Sequence, residues 1–271
     1  MTILLLALAF LAGLLIGSFL NVCIYRIPRD LSVVAPRSFC PGCEAPIAWH
    51  HNIPILSYLW LRGHCARCGN RISLRYPLVE LATAILFTLI AWRFGPDWTA
   101  LKWALFCALL IVLFSTDLEE RLLPDECTLG GSIAGLILAL FVVVPSVFGQ
   151  YLLPGQRLAV QSLLNAALGA FVLAVPIWGI GALWSRLRKR EALGFGDVKL
   201  LALIGIFLGL ENGIFALMIA SVAGAITGVA AALWKRQSIR TYELPFGCFL
   251  CAAAIVVVLL RAPAGGLLGV P

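Results

Sequence analysis

Charged residues are scarce in this chain of 271 residues: they make up 12% of the sequence, whereas apolar residues make up 62%. Charge-free runs of membrane-spanning length recur throughout, which excludes a soluble globular fold and makes the lipid bilayer the main solvent of the chain. The sequence also lacks low-complexity tracts, a heptad seam, a repeat of about 20–50 residues and a glycine-rich phosphate loop, which argues against solenoids, coiled coils and nucleotide-binding folds.

Histidine is almost as scarce, with three residues in all, and His50, His51 and His64 lie in one polar stretch. The apolar segments therefore contain no Ser–His–Asp arrangement, and a cysteine nucleophile there would lack an activating base. Hydrolases of those two classes are disfavoured.

We expect no removable signal peptide at the N-terminus, because there is no basic n-region and the apolar run over 2–25 is too long for an h-region. Within this run, Gly13-x-x-x-Gly17 predicts close packing against another helix, and Asn21 requires a polar partner in the bundle.

Eight apolar segments predict an all-α polytopic membrane protein with about eight transmembrane helices. They are 3–24, 77–92, 98–114, 128–147, 158–184, 198–210, 213–234 and 244–260. We expect a first transmembrane helix over 1–25, a small cytoplasmic insertion over 26–76 and a transmembrane core over 77–271. Pro176 is expected to kink the fifth helix without ending it.

The distribution of basic residues predicts the orientation in the bilayer. With eight spans, one set of alternate loops holds sixteen of the twenty Lys and Arg residues. The positive-inside rule makes these loops cytoplasmic and both termini periplasmic, and it accounts for the arginines without nucleic acid as a partner. Since 198–210 is short for a span, we expect its helix to begin earlier; local thinning of the bilayer and a re-entrant segment are the alternatives.

Four cysteines in the insertion have the spacing of a metal site. Cys40-x-x-Cys43 and Cys65-x-x-Cys68 form two C-x₂-C pairs, which can place four thiolates tetrahedrally around one Zn²⁺ ion. The competing interpretations are two disulfides or a redox centre, which a reducing cytoplasm disfavours. We predict a closed, structural zinc site.

Asp197 follows two glycines, Gly194 and Gly196, and directly precedes an apolar segment. Ionised carboxylates are costly at the edge of the hydrocarbon and are often functional there. The glycines would let the backbone bend into the helix and leave space beside the carboxylate. The alternative is that Asp197 only caps the helix.

A second aspartate, Asp117, is expected at the same face of the membrane as Asp197. Two carboxylates that meet across a bundle cannot both ionise cheaply, so they share one proton. One then accepts a proton from water while the other polarises a carbonyl, which is the chemistry of an aspartyl protease. The alternative is that both side chains only face water at helix ends.

These residues resemble the bacterial prepilin peptidases, or type IV leader peptidases, over nearly the whole chain. The matching motifs are 17–28, the cysteine pairs with 46–47, 52–54 and 75–80, Asp117 with 123–125, Gly194-x-Gly-Asp197-x-Lys199-Leu200, and 244–247. The chain departs from the family at Cys248, where the family usually has proline, and at 191–193, which lacks the family's extra glycine.

The resemblance implies an inner-membrane aspartyl endopeptidase with Asp117 and Asp197 as its catalytic pair. Members of this family cleave the basic leader from type IV prepilins or type II secretion pseudopilins at the cytoplasmic face, just after a glycine. Those with the cysteine-rich domain commonly also methylate the new N-terminal amine with S-adenosylmethionine. The implied partners are a prepilin or pseudopilin helix and membrane lipid.

Five further residues are second-tier candidates around the site. Glu119, Glu120 and Asp125 lie in an acidic stretch, and our hypothesis is that they dock a basic leader; a solvated loop, with Asp125 capping the next helix, is the alternative. Lys199 either touches the site or extends to the headgroups. Glu80 is expected in the first turn of the second span, where the helix dipole favours an acid.

Two other classes of function remain at this point. A transporter would use Asp117, Asp197 and Glu80 as an ion path, and it predicts carboxylates near the middle of the membrane. A non-catalytic scaffold would present the zinc module to partners, and it predicts that an Asp117→Asn substitution has no effect.

Overall fold

The computed structural model describes residues 2–144, 146–152, 154–188, 194–235 and 245–260. The sequence departure at 191–193, Leu244 of the C-terminal motif and several of the basic residues counted for the orientation lie outside these ranges.

The regular secondary structure of the described residues is helical, with two isolated β-bridges and no strand. The helices are α1 (Ile3–Arg26), α2 (Leu56–Trp60), α3 (Arg75–Phe94), α4 (Trp98–Glu120), α5 (Asp125–Phe141), α6 (Val147–Leu152), α7 (Leu158–Arg188), α8 (Phe195–Lys235) and α9 (Phe246–Leu260), with short 3₁₀ turns at Ile27–Arg29 and Trp49–His51.

Every apolar segment predicted from the sequence lies largely within one of these helices, and the all-α polytopic fold is confirmed. Among the described residues, five helices are long and apolar enough to cross a membrane, namely Ile3–Arg29, Arg75–Phe94, Trp98–Glu120, Leu158–Leu187 and Phe195–Leu233. The helix Phe246–Leu260 is apolar but shorter. As expected, α7 continues through Pro176.

The segments predicted at 198–210 and 213–234 form the two halves of α8, which begins at Phe195, earlier than the apolar run. The halves are separated at Gly209, whose φ of 77° lies in the left-handed region. At this break the Leu210 N–H donates to Oδ1 of the buried Asn165, which replaces a lost helical acceptor.

The chain divides into two compact units, Met1–Val112 and Leu113–Pro271. In the first unit α1 packs on α3 through the two glycines predicted for close packing. A methyl carbon placed on Gly13 would lie 2.5 Å from Cα of Ala84, so the helix backbones nearly touch there. The polar partner expected for Asn21 is the carbonyl of Tyr76, which accepts from its Nδ2 at 3.0 Å.

In the second unit α8 packs against α5, α7 and α9. Residues 200–208 of its N-terminal half are apolar and almost all buried, as the central helix of a bundle should be. Gly205 of this half crosses α7 at Gly169, where a methyl carbon on Gly205 would lie 2.3 Å from the Gly169 carbonyl carbon. This crossing places the first turn of α8, which carries Asp197, inside the second unit.

Candidate active site and metal-binding cluster

Asp117 lies in the last turn of α4 and is buried, with 6% of its side-chain surface exposed. The helix ends shortly after it because Arg121 adopts a left-handed conformation with φ 54°. The Arg121 N–H still donates to the carbonyl of Asp117, so the aspartate backbone remains helical. Burial of a carboxylate at a helix end requires partners for its oxygens.

One of those partners comes from α9, at the other end of the sequence of this unit. The main-chain N–H of Cys248 donates to Oδ2 of Asp117 at 2.8 Å. The Cys248 thiol donates to the carbonyl of Phe114 at 3.3 Å, which fastens the start of α9 to α4 a second time. The motif over 244–247 is recognisable in the sequence, but nothing in it indicates a contact with Asp117.

A glycine is needed at position 247 because there is no space for a side chain, and not because of its backbone conformation. A methyl carbon on Gly247 would lie 2.8 Å from Oδ2 and 3.0 Å from Cγ of Asp117. Such distances are shorter than van der Waals contact, so only glycine lets the first turn of α9 approach the carboxylate.

Asp197 is the third residue of α8. Its N–H donates to the carbonyl of Gly194. The preceding residue, Gly196, faces the Leu123 side chain, which also reaches Gly247 beside the carboxylate of Asp117. The two aspartates expected to form the catalytic pair therefore lie around one leucine side chain, although they are on different helices.

The two glycines before Asp197 have different surroundings. A methyl carbon on Gly194 would lie 3.9 Å from Oδ2 of Asp197, an ordinary contact, whereas one on Gly196 would lie 3.1 Å from Cβ of Leu123. Gly196 has no positive φ, so its role here is to leave space. It provides room for Leu123, which the motif over 123–125 contains without indicating this contact.

Two second-tier residues form an ion pair beside the site. Lys199 Nζ binds Oδ1 of Asp125, the first residue of α5, and also lies 5.1 Å from the centre of the Phe195 ring. The lysine therefore links the first turns of α5 and α8. Glu119 and Glu120 are exposed at the end of α4.

Glu80 belongs to the first unit, and its expected position in the first turn of a helix is wrong. Because α3 begins at Arg75, Glu80 is the sixth helical residue, and the first turn contains no acid. Its buried carboxylate accepts the N–H of Ile55 at 2.7 Å and a hydrogen bond from Ser18. Glu80 thus fixes the insertion to α1 and α3.

The cysteine pairs of the insertion converge on one point. The sulfur atoms of Cys40, Cys43, Cys65 and Cys68 all lie within 4.8 Å of one another, and Cys40 Sγ and Cys68 Sγ are 3.9 Å apart. Tetrahedral ligands at the usual Zn–S distance of about 2.3 Å are roughly 3.8 Å apart. The four residues therefore suit a metal ion, and they carry no disulfide.

The two pairs form equivalent turns. In the first, the Cys40 N–H donates to the Ala45 carbonyl and the Glu44 N–H to the Cys40 carbonyl; in the second, Cys65, Gly69 and Asn70 repeat the pattern. Glu44 and Gly69 both have positive φ, at 54° and 72°. This repeated geometry is that of two metal-binding knuckles.

Two thiols of this cluster, those of Cys65 and Cys68, have pKa values shifted in opposite directions. Backbone N–H groups of Cys68 and Arg67 lower the pKa of the Cys65 thiol to about 6. The pKa of Cys68 rises to about 11: the N–H of Asn70 lowers it, but desolvation and hydrogen bonds with the neighbouring thiols outweigh that effect. Two adjacent thiolates repel each other, so neighbouring thiols do not readily ionise together. A bound cation offsets this repulsion and allows all of them to be deprotonated.

Two protein-family models match the chain. Residues 11–94 match the model of the bacterial peptidase A24 N-terminal domain, and residues 104–229 match that of the type IV leader peptidase family. No solved structure matches the chain significantly.

Several relatives are similar over most of their length. The prepilin leader peptidase/N-methyltransferase of Aeromonas salmonicida is 34% identical over 93% of this chain and 90% of that protein. Proteins of the same name from Neisseria gonorrhoeae and Pseudomonas putida are 35% and 36% identical, over 84% and 93% of this chain and 82% and 89% of theirs. The chain therefore belongs to the type IV leader peptidase family.

Proposed function

We propose that this protein is a prepilin peptidase that removes the basic leader from type IV prepilins or type II secretion pseudopilins. The observation that carries the proposal is the position of Asp117 and Asp197 at the ends of two helices of one unit, around the side chain of Leu123. Family membership supports the same reaction, since the relatives carry the name prepilin leader peptidase/N-methyltransferase.

The dyad hydrolyses the peptide bond with one shared proton. The ionised aspartate accepts a proton from water as the water oxygen bonds to the carbonyl carbon, and the protonated aspartate gives its proton to the carbonyl oxygen. When the C–N bond breaks, the first aspartate returns its proton to the leaving amine, and the second regains one from the hydroxyl group as the product carboxyl forms. No covalent enzyme intermediate is needed.

The reaction takes place at the cytoplasmic face of the inner membrane, with both termini in the periplasm. Three considerations support this location: the positive-inside bias, the position of both aspartates at helix ends, and the exposed acids Glu119 and Glu120 next to Asp117. A leader rich in Lys and Arg is complementary to those acids. A transporter with a path through the middle of the bilayer does not fit carboxylates at helix ends.

We also infer that the enzyme methylates the N-terminal amine that cleavage exposes. The names of the relatives include N-methyltransferase, and S-adenosylmethionine supplies the methyl group. We further propose that the ion held by Cys40, Cys43, Cys65 and Cys68 is structural Zn²⁺, because four cysteines leave no ligand position for water.

Purified enzyme in detergent, incubated with a prepilin, tests the proposed function. Wild type is expected to cleave, whereas Asp117→Asn and Asp197→Asn each lose about 10²–10⁴-fold in rate, the usual contribution of an acid–base group. Asp97→Asn, in the first unit, is the control and is expected to retain activity. Cleavage by either dyad variant at the wild-type rate would contradict the proposal.

A further inference from the structure

Leu123 lies against Gly196 and Gly247 and has no role in the mechanism described above. It belongs to the segment 121–124 that joins α4 to α5, and its side chain is half-buried. Its Cβ and Cδ1 would lie 3.1 and 3.2 Å from a methyl carbon on Gly196, and its Cδ1 would lie 3.4 Å from one on Gly247. One leucine side chain therefore covers the first turns of both α8 and α9.

These two glycines are the immediate neighbours of the dyad. Gly196 directly precedes Asp197, and a methyl carbon on Gly247 would lie 2.8 Å from Oδ2 of Asp117. The Leu123 side chain consequently forms an apolar wall against the two glycines that adjoin the aspartates.

The wall is held in place from both sides. Arg121 has a fixed left-handed backbone, and the carbonyl of Pro124 accepts both the N–H and the hydroxyl of Thr128, at 3.0 and 3.1 Å. The next residue, Asp125, is paired with Lys199 of α8. These contacts fix the backbone on both sides of Leu123.

A peptide that is hydrolysed here must place its carbonyl carbon between the two carboxylates. The Cα of the residue that supplies this carbonyl is bonded directly to that carbon, so its side chain lies near the two carboxylates and the glycines that adjoin them. The Cα on the other side of the scissile bond lies beyond the amide nitrogen and is farther away.

We propose that Leu123 determines the size of the residue accepted on the leader side of the scissile bond, restricting it to glycine. This inference rests on the proposed function and assigns its selectivity to one side chain. Closely packed pockets reject an added methyl group by about 10- to 200-fold, which is the range that Leu123 can supply.

The test compares two prepilins that differ only in having Gly or Ala on the leader side of the scissile bond. For each enzyme the measured quantity is the ratio of kcat/KM for the Ala substrate to kcat/KM for the Gly substrate. Leu123→Ala is expected to raise this ratio about tenfold or more. The matched control is Leu122→Ala, which truncates the exposed neighbour (43% exposed) and should leave the ratio unchanged.

An unchanged ratio in Leu123→Ala would overturn the assignment, as would an equal rise in Leu122→Ala. If Leu123→Ala is inactive on both substrates, Leu123→Val is used instead, since it shortens the side chain while keeping an apolar wall. The kcat/KM ratio of Leu123→Val must then exceed that of the wild type. Failure of the wild type to cleave the Gly substrate would instead reject the proposed function, so the two failures are distinguishable.

Discussion

The main-chain N–H of Cys248 donates a 2.8 Å hydrogen bond to Oδ2 of Asp117. Because Cys248 is the third residue of α9, its N–H has no acceptor within the helix, and the carboxylate satisfies it. Proline, which the family resemblance places at this position, has no N–H to donate. A chain with proline at this position could not form this hydrogen bond, but it could keep the close approach of the glycine at position 247 to the aspartate.

Gly247→Ala should abolish most of the peptidase activity. The new methyl group would lie 2.8 Å from Oδ2 of Asp117 and must displace the carboxylate from its position. A displacement of about 1 Å in a catalytic group costs roughly 100-fold in rate, measured as kcat/KM for prepilin cleavage. Gly179→Ala is the control, because a methyl group there meets no atom within 4 Å. Wild-type cleavage by Gly247→Ala would show that the approach is not needed.

The purified protein should contain about one zinc ion per chain, since one closed shell of four thiolates binds one ion. Elemental analysis checks the content, and Cys40→Ser or Cys65→Ser should lower it. Loss of the ion frees both knuckles, so limited proteolysis should then cut within 26–74. Cys23→Ala, which lies outside the cluster, should keep both the metal and the resistance to protease. Retention of full zinc content by both serine variants would contradict the assignment.

Gly13→Ala should destabilise the first unit, because its methyl carbon would lie 2.5 Å from Cα of Ala84. Overpacking of this kind costs about 1–3 kcal/mol in the free energy of unfolding. Thermal unfolding in detergent should show a lower Tm. Gly130→Ala in α5 is the matched control: it meets nothing within 4 Å, so it should stabilise its helix by about 0.5–1 kcal/mol. Equal Tm values for both variants would refute the close packing.

Charge reversal at Glu119 and Glu120 should raise KM for a prepilin with a basic leader, with a smaller effect on kcat. The two acids are exposed next to Asp117, and their attraction for Lys and Arg is electrostatic. The effect should therefore shrink as salt is added, and it should be absent with a substrate whose leader is neutral. An unchanged KM for the basic leader at low salt would count against docking by these acids.

Asp125, the third acid of this group, is occupied by Lys199 and is not expected to dock the leader in the same way. Sequence reasoning could not find this pair, because the two residues are 74 positions apart and each has a common alternative role at a helix end. The proposed roles of the two aspartates, by contrast, followed from their positions at the edges of apolar segments, where carboxylates are rare, together with the family resemblance.

Hydropathy by itself determined that this chain forms membrane-spanning helices and where they lie, because an apolar run must satisfy its backbone internally in lipid. Cysteine spacing likewise determined the metal cluster, since C-x₂-C pairs are local motifs. Tertiary structure alone decided the neighbours of the dyad: the α9 amide on Asp117, Leu123 across Gly196 and Gly247, and the link from Lys199 to Asp125. These contacts join distant segments at single atoms, and helix periodicity carries no information about which helix ends meet.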